Sequence, residues 1–291
     1  MAKVGHYQGA GGTRQGIYVC TPNGRMLKSC NSLNADTVLA MMKEGLAAWE
    51  QSDETEGQLT DEDAMQSDPR WEWRFPEEGL VLRSTQRDLP TSGSPLDERL
   101  PRFNADHVWI QKDEARGFLP EDLTIGATRT VSNLLTERLA RFHVVDNVRG
   151  QTLPFSPREV AASKLASEIT AIDEDLVSLQ VTGTLRANSD GIWDMGDNIW
   201  KPNGEWPRSI ETQVLGRATY STSEERFKSF ELLALGERTG RTQLNGRRDE
   251  FGTIGFSFVL AGDSPSDRVA PGFIHVYDAP WIEPIADTGS R

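Results

Sequence analysis

The chain has 291 residues, enough for about two domains, and carries 44 acidic against 31 basic residues for a formal charge of −13. A field of that sign repels phosphate backbones and anionic bilayers, so neither nucleic acid nor a membrane surface is an expected partner. No apolar run reaches the ~18 residues a bilayer span requires, and the opening MAKVGHYQGAGGTRQ has no apolar stretch of signal-peptide length, which leaves the compartment open.

The first structured stretch is GIYVCTPNGRMLKSCN, Gly16 to Asn31. Ile17–Cys20 and Met26–Cys30 read as strands of a hairpin punctuated by Thr21-Pro22-Asn23-Gly24. Residue 20 is expected to face residue 25, which separates Cys20 from Cys30 by roughly 15 Å along the ladder. A disulfide needs Cα atoms within about 7 Å, so the chain's two cysteines are expected not to pair. No flanking charge activates Cys20, and on a strand it is expected to be an inert buried residue. Asn34 or Asp36 can then cap a helix with Val38, Leu39, Met42, Leu46 and Trp49 near helical spacing. Residues 1–50 thus form a β-β-α unit whose helix has one apolar stripe and only two strands to cover it.

Residues 51–69, QSDETEGQLTDEDAMQSDP, contain no Lys or Arg and read as an acidic linker or a solvated helical connector; a calcium site is the less favoured alternative, because the oxygen-ligand spacing is irregular. Residues 70–150 read as a mixed α/β connecting region. Trp71, Trp73 and Phe75 alternate, Leu80–Thr85 and Asp106–Gln111 read as strands around a loop from Thr91 to Pro101, and Thr130–Phe142 reads as a helix. Its stripe is Val131, Leu134, Leu135, Leu139 and Phe142, with Thr130 or Ser132 as cap. Residues 151–291 change character. Ser156-Pro157-Arg158-Glu159 is a capping box with proline at the first helical position. Alternation then resumes at Leu165–Ala171 and Val177–Leu185, on either side of a turn at Asp173-Glu174-Asp175. Ile210–Tyr220 is expected to pair with Arg226–Gly236, and Thr253–Leu260 and Phe273–Tyr277 supply further strands. The expected class is α+β, with a C-terminal antiparallel sandwich or barrel.

The opening unit resembles the last β-β-α of a thioredoxin-like fold, Ile17–Cys20 standing for the third core strand, Met26–Cys30 for the edge strand and Asp36–Trp49 for the closing helix. Gln15-Gly16 stands where such proteins place a cis-proline, and no C-x-x-C is present. The whole layout also resembles an uncharacterised bacterial family in which a thioredoxin-like region precedes a β-rich one, through HYQGAGGTRQGIYVCTPNGR, RFHVVDNVRGQTLPF and RFKSFELLALGERTGRT. That likeness implies an exported bacterial protein whose record starts inside the first domain, and it carries no established activity.

The candidate chemistry lies in two stretches. GIWDMGDNIWKPNGEWP presents Trp193, Trp200 and Trp206 among Asp and Asn residues, including Asp194. Loop indoles flanked by carboxylates and amides suit a glycan or another polar small molecule, while the plainer role is to plug the end of a β core. GERTGRTQLNGRRDEF gathers Arg238, Arg241, Arg247 and Arg248, an anion-receptive exception to the acidic surface or simply a solvated hairpin rim. His275 lies between Phe273 and Tyr277 on one strand face and is the histidine most worth testing. No histidine spacing matches a metal pair and no G-x-S-x-G nominates a nucleophile, so no catalytic residue, metal or cofactor is assigned. The leading expectation is a non-catalytic binding or accessory β domain attached to a thioredoxin-like one. The alternatives are a thiol-disulfide oxidoreductase whose dithiol lies upstream, and a hydrolase using two facing carboxylates. Self-association through the N-terminal sheet edge is the one protein contact expected.

Overall fold

The computed structural model describes residues 16–22, 25–52, 74–90, 103–150, 152–191, 204–242, 244–248, 251–262 and 264–274. The chain divides into two compact units, Met1–Arg70 and Trp71–Arg291.

In the first unit, β1 (Ile17–Cys20) and β2 (Met26–Cys30) form an antiparallel hairpin, followed by α1 (Ala35–Glu50). Asn34 is the cap, its Oδ1 accepting from the Thr37 backbone N–H at 3.0 Å. The register corrects the expected one: Cys20 pairs with Met26, not residue 25, because of an irregularity between Val19 and Cys20. Cys30 pairs with Ile17, so the two thiols stand three ladder positions apart, and both are free. Cys20 is exposed rather than buried, a second correction, because among the described residues of this unit α1 is the one element packed on the hairpin.

The helix stripe also divides. Met41 and Gly45 are buried, and at Gly45 the backbone comes so near the hairpin that a Cβ would lie 2.8 Å from Val19 Cβ. Leu39, Met42 and Leu46 are each more than half exposed. Met42 and Leu46 line, with Val19, Leu27 and Trp49, an open apolar groove.

The second unit is built on one continuous eight-stranded antiparallel sheet in the order β4-β3-β10-β9-β8-β7-β6-β5. Its strands are β3 (Leu80–Leu89), β4 (Phe103–Ile110), β5 (Thr128–Thr130), β6 (Val160–Asp173), β7 (Leu176–Ser189), β8 (Arg208–Ser221), β9 (Arg226–Gly240) and β10 (Gly252–Leu260). The architecture is therefore mixed α+β with a large antiparallel part, whose eight strands are hydrogen-bonded in one continuous sheet. Residues 70–150 and 151–291, separate in the sequence reading, contribute strands to that one sheet through the β10–β3 pairing, Phe256 opposite Gln86. The expected pairing of Ile210–Tyr220 with Arg226–Gly236 is present, extended at both ends. Phe273 and Ile274 lie in a turn and a short helical bend instead of a strand; Tyr277 falls outside the described residues.

Alternation decides which side is core. Leu179, Val181 and Leu185 of β7, Val214 and Ala218 of β8, Leu232 and Ala234 of β9 and Phe256 and Phe258 of β10 all face one side and are buried in one cluster. The same cluster takes in Phe118, Leu135, Leu139 and Phe155 from the segment between β4 and β6, so the sheet closes over that segment. The segment holds two short helices, α2 (Lys112–Ala115) and α3 (Asn133–Arg138). The expected helix from Thr130 to Phe142 is shorter than its stripe: Thr130 ends β5, and after Arg138 the chain widens into a π-turn from Leu139 to His143. Val131, Leu135, Leu139 and Phe142 are buried as expected, while Leu134 is 46 % exposed. The capping box forms, Glu159 Oε2 accepting from the Ser156 N–H at 2.7 Å.

At some inner positions the neighbouring strand leaves no room for a side chain. A Cβ at Gly236 of β9 would lie 1.9 Å from the Glu211 carbonyl oxygen of β8, and one at Gly183 would lie 2.0 Å from the Lys164 oxygen. Glycine at such points lets neighbouring backbones close in.

Candidate functional site

One end of the sheet collects the end of β3, the start of β4, the end of β7, the start of β8, the end of β9 and the start of β10. Toward it the inner faces change from apolar to charged. Along β3 the inward residues run Leu80, Leu82, Ser84, Gln86, Asp88; β9 runs Ala234, Gly236, Arg238; β8 begins with Arg208 before Ile210. All three ionic residues are at most 8 % exposed.

The centre of this end is Arg247, whose side chain is fully buried. Its Nε and Nη2 donate to Asp146 Oδ2 and Oδ1 at 2.8 and 2.7 Å, and its Nη1 and Nη2 donate to Asp88 Oδ2 and Oδ1 at 2.8 and 2.6 Å. Arg149 Nε adds a bond to Asp88 at 3.1 Å, and Arg238 Nε lies 3.5 Å from Asp146. Burial would push the Asp88 carboxyl up, but the hydrogen bonds and charge of Arg247, with Arg149 and Arg238 beyond, hold it below the usual carboxylate range. Burial likewise opposes the Arg247 charge, and its two carboxylates overcome that and raise it. Bidentate forks of this kind fix geometry as well as charge. The loop carrying Arg247 is folded locally: Asn245 Oδ1 accepts from the N–H groups of Thr242 and Arg247, and Thr242 Oγ1 accepts from the Asn245 N–H. The Asn147 N–H donates to Gln86 Oε1 at 2.8 Å, which ties the 146–149 turn to β3.

At the same end of the sheet Arg241 stacks on Trp206, its guanidinium carbon 3.9 Å from the ring centroid. Both are half-buried. The tryptophan segment and the arginine hairpin, far apart in sequence, therefore meet at one rim. The two hypotheses for the arginine hairpin divide: Arg238 and Arg247 are buried partners of carboxylates, which corrects a solvated rim for them, while Arg248 is exposed. Trp193, Asp194, Trp200 and His275 lie outside the described residues, as do Trp71 and Trp73. Asp88, Asp146, Arg149 and Arg208 were not foreseen, although the grading of β3 from leucine to aspartate on its inward face was a readable signal.

At the opposite end a cleft of about 370 Å³ lies between the starts of β3 and β9 and the end of β10, with Phe75, Val81, Phe227 and Leu260 among its walls. Its charged rim is internally paired: Arg268 bonds Glu77 at 2.8 and 3.1 Å and covers the Phe75 ring at 4.2 Å. Near the β4 edge His143 is fully buried with its Nδ1 3.9 Å from Asp106 Oδ2. Burial, and after it the charge of Arg138, pushes the His143 imidazole down to about 3. Burial raises the Asp106 carboxyl against bonds from nearby backbone N–H groups, Gly272 among them.

Asp88 and Asp146 do face each other, but a guanidinium lies between them and holds both by forked bonds. A hydrolytic pair needs one carboxylic acid and one carboxylate flanking open space. Among the described residues, no group of three or more His, Cys, Asp or Glu side chains is placed to hold a metal ion. Compared with protein-family models, with curated proteins and with solved structures, the chain finds no match in any of the three.

Proposed function

We propose that the chain is a non-catalytic binding or accessory β domain, and that its ligand is a glycan or another polar small molecule engaged at the rim where the β7–β8 and β9–β10 connections meet. The observation that carries this reading is the Arg241 guanidinium 3.9 Å over the Trp206 ring, both half-buried, at the mouth of the sheet. An indole held by a cation offers a flat apolar plate with hydrogen-bond donors at its margin, the combination polar ligands with apolar faces use. The buried Asp88–Arg247–Asp146 forks hold the β9–β10 connection against β3 and the 146–149 turn, so the Arg241 side of the rim is supported before a ligand arrives. The cleft at the other end has its rim charges satisfied internally, which favours it less.

The reading is tested by presenting a glycan and small-acid array to the full chain and to Trp206→Ala and Arg241→Ala, with thermal midpoints measured beside binding. The expected result is at least one ligand whose binding falls about tenfold or more in both variants, a loss of ~1.4 kcal/mol or above, while the folded state persists. Binding retained by both variants, or an array without a ligand, contradicts it.

A further inference from the structure

Arg208 opens β8, faces the inner side of the sheet and is 8 % exposed. Its Nη2 donates to the Leu153 and Pro154 carbonyl oxygens, both at 3.2 Å, and its guanidinium carbon lies 4.5 Å over the Phe155 ring. Its Nε and Nη1 are buried and reach no acceptor among the described residues. The neighbouring arginines are treated differently by the fold. Arg247 has two carboxylates, Arg149 has Asp88, and Arg238 has Asp146 at 3.5 Å. Among the described residues no carboxylate lies within ion-pair distance of Arg208. Burial pulls its pKa down to about 10 against the more distant charge of Glu159, so the guanidinium keeps its proton at neutral pH. A buried cation with unused N–H groups is an arrangement folded proteins rarely leave unfilled.

Arg208 lines a small cavity with Arg238, Asn245, Gly240, Phe155 and Asp146. About 10 Å³ of it is open to the centre of a water molecule. That is about one water-sized sphere, so an occupant is a single small species, a water or a halide seated against the guanidinium with slight give in the walls, and phosphate, a carboxylic acid or a sugar is too large. The described walls carry two guanidinium groups and one carboxylate, and that carboxylate is already engaged by Arg247.

We propose that this cavity holds one halide-sized monovalent anion, chloride under ordinary conditions, on the Nε and Nη1 edge of Arg208, as a resident ion that completes the charged end of the sheet. The site is separate from the Trp206–Arg241 rim and stands or falls independently of what binds there.

Thermal unfolding of the full chain in sodium chloride and in sodium gluconate at matched ionic strength tests it. Because a ligand that binds only the folded state stabilises by mass action, the midpoint in chloride should exceed that in gluconate by about 3–6 °C and saturate as a single site. Arg208→Met should abolish the difference. Crystals grown in bromide should show an anomalous peak in contact with Arg208 Nε and Nη1. This second measurement uses the unaltered chain and decides the matter if the variant does not fold. Equal midpoints in the two salts with no bromide at Arg208 would overturn the proposal and leave a water site. A chloride effect that survives in Arg208→Met would overturn it too, by placing the anion elsewhere.

Discussion

Replacing Arg247 with methionine removes the cation that two buried carboxylates share. The side chain is fully buried, and four hydrogen bonds of 2.6–2.8 Å go with it. Breaking a buried ion pair by deleting one partner costs about 3–5 kcal/mol, because the remaining charge stays desolvated. For a unit of this size that corresponds to a fall in thermal midpoint of about 10 °C. The pH dependence adds a second, independent signature. In the wild type the Asp88 carboxyl is held below its ordinary value, so its contribution is complete above the unfolded value near 3.9 and is lost as pH falls through the lower folded value. In Arg247→Met, burial becomes the larger influence on Asp88 and its carboxyl rises, so the variant regains stability as pH drops through that raised value. Urea unfolding of both proteins, followed by circular dichroism at several pH values, should show a gap that is widest near pH 7 and narrows toward pH 4. Arg226→Met, which removes a half-exposed partner of Glu224, is the control and should leave stability nearly unchanged. A gap below about 1 kcal/mol, or one that does not move with pH, would refute the view that these forks hold the end of the sheet together.

Three further outcomes are expected. His143 is fully buried with its imidazole pushed down to about 3, so the unfolded chain takes up a proton below about pH 6.5 that the folded chain refuses. Its contribution to stability should therefore fall by about 2 kcal/mol between pH 7 and pH 5. In His143→Gln the unfolding free energy should be flatter over that range, after allowance for Asp106 and Arg138, which face the ring; parallel curves would contradict the burial argument. Gly236→Ala forces a Cβ against the Glu211 carbonyl oxygen at 1.9 Å and should cost about 1–3 kcal/mol by urea titration, whereas an unchanged midpoint would mean the sheet relaxes freely there. Cys20 is exposed and Cys30 half-buried, both free, so a thiol-alkylating reagent should modify Cys20 first in the native protein, and a native mass two hydrogens short of the dithiol form would contradict the register.

Local chemistry made much of the fold readable. The alternation in Leu176–Ser189 and Arg226–Gly240 marks half-buried strands, Asn34 and the Ser156–Glu159 box mark helix starts, and the acidic turn at Asp173–Asp175 marks a hairpin, with Glu174 adopting positive φ there. The closure of the sheet was not readable, because β3 pairs with β10 across a separation that no periodicity reports. Thr253 Oγ1 bonds the Leu89 carbonyl oxygen across 164 residues. The charged cluster was hidden for the same reason: Arg247 and Asp88 are 159 residues apart, and each alone looks like an ordinary polar loop or strand end. The π-turn at Leu139–His143 has no sequence signature, since its apolar stripe continues the helical spacing of α3 while the backbone does not. On the first unit, the sequence anticipated an under-covered helix, and Leu39, Met42 and Leu46 are indeed more than half exposed; the thioredoxin-like parentage of that unit is a proposal that rests on its β-β-α order.

Hydrogen exchange on the full chain, measured with and without a ligand found on the glycan and small-acid array, bears most directly on the binding reading. Protection centred on residues 204–209 and 238–248 is the predicted result, with the rest of the sheet unchanged. Protection instead around Phe75–Gly79 and Leu260–Arg268, at the far end, would contradict it.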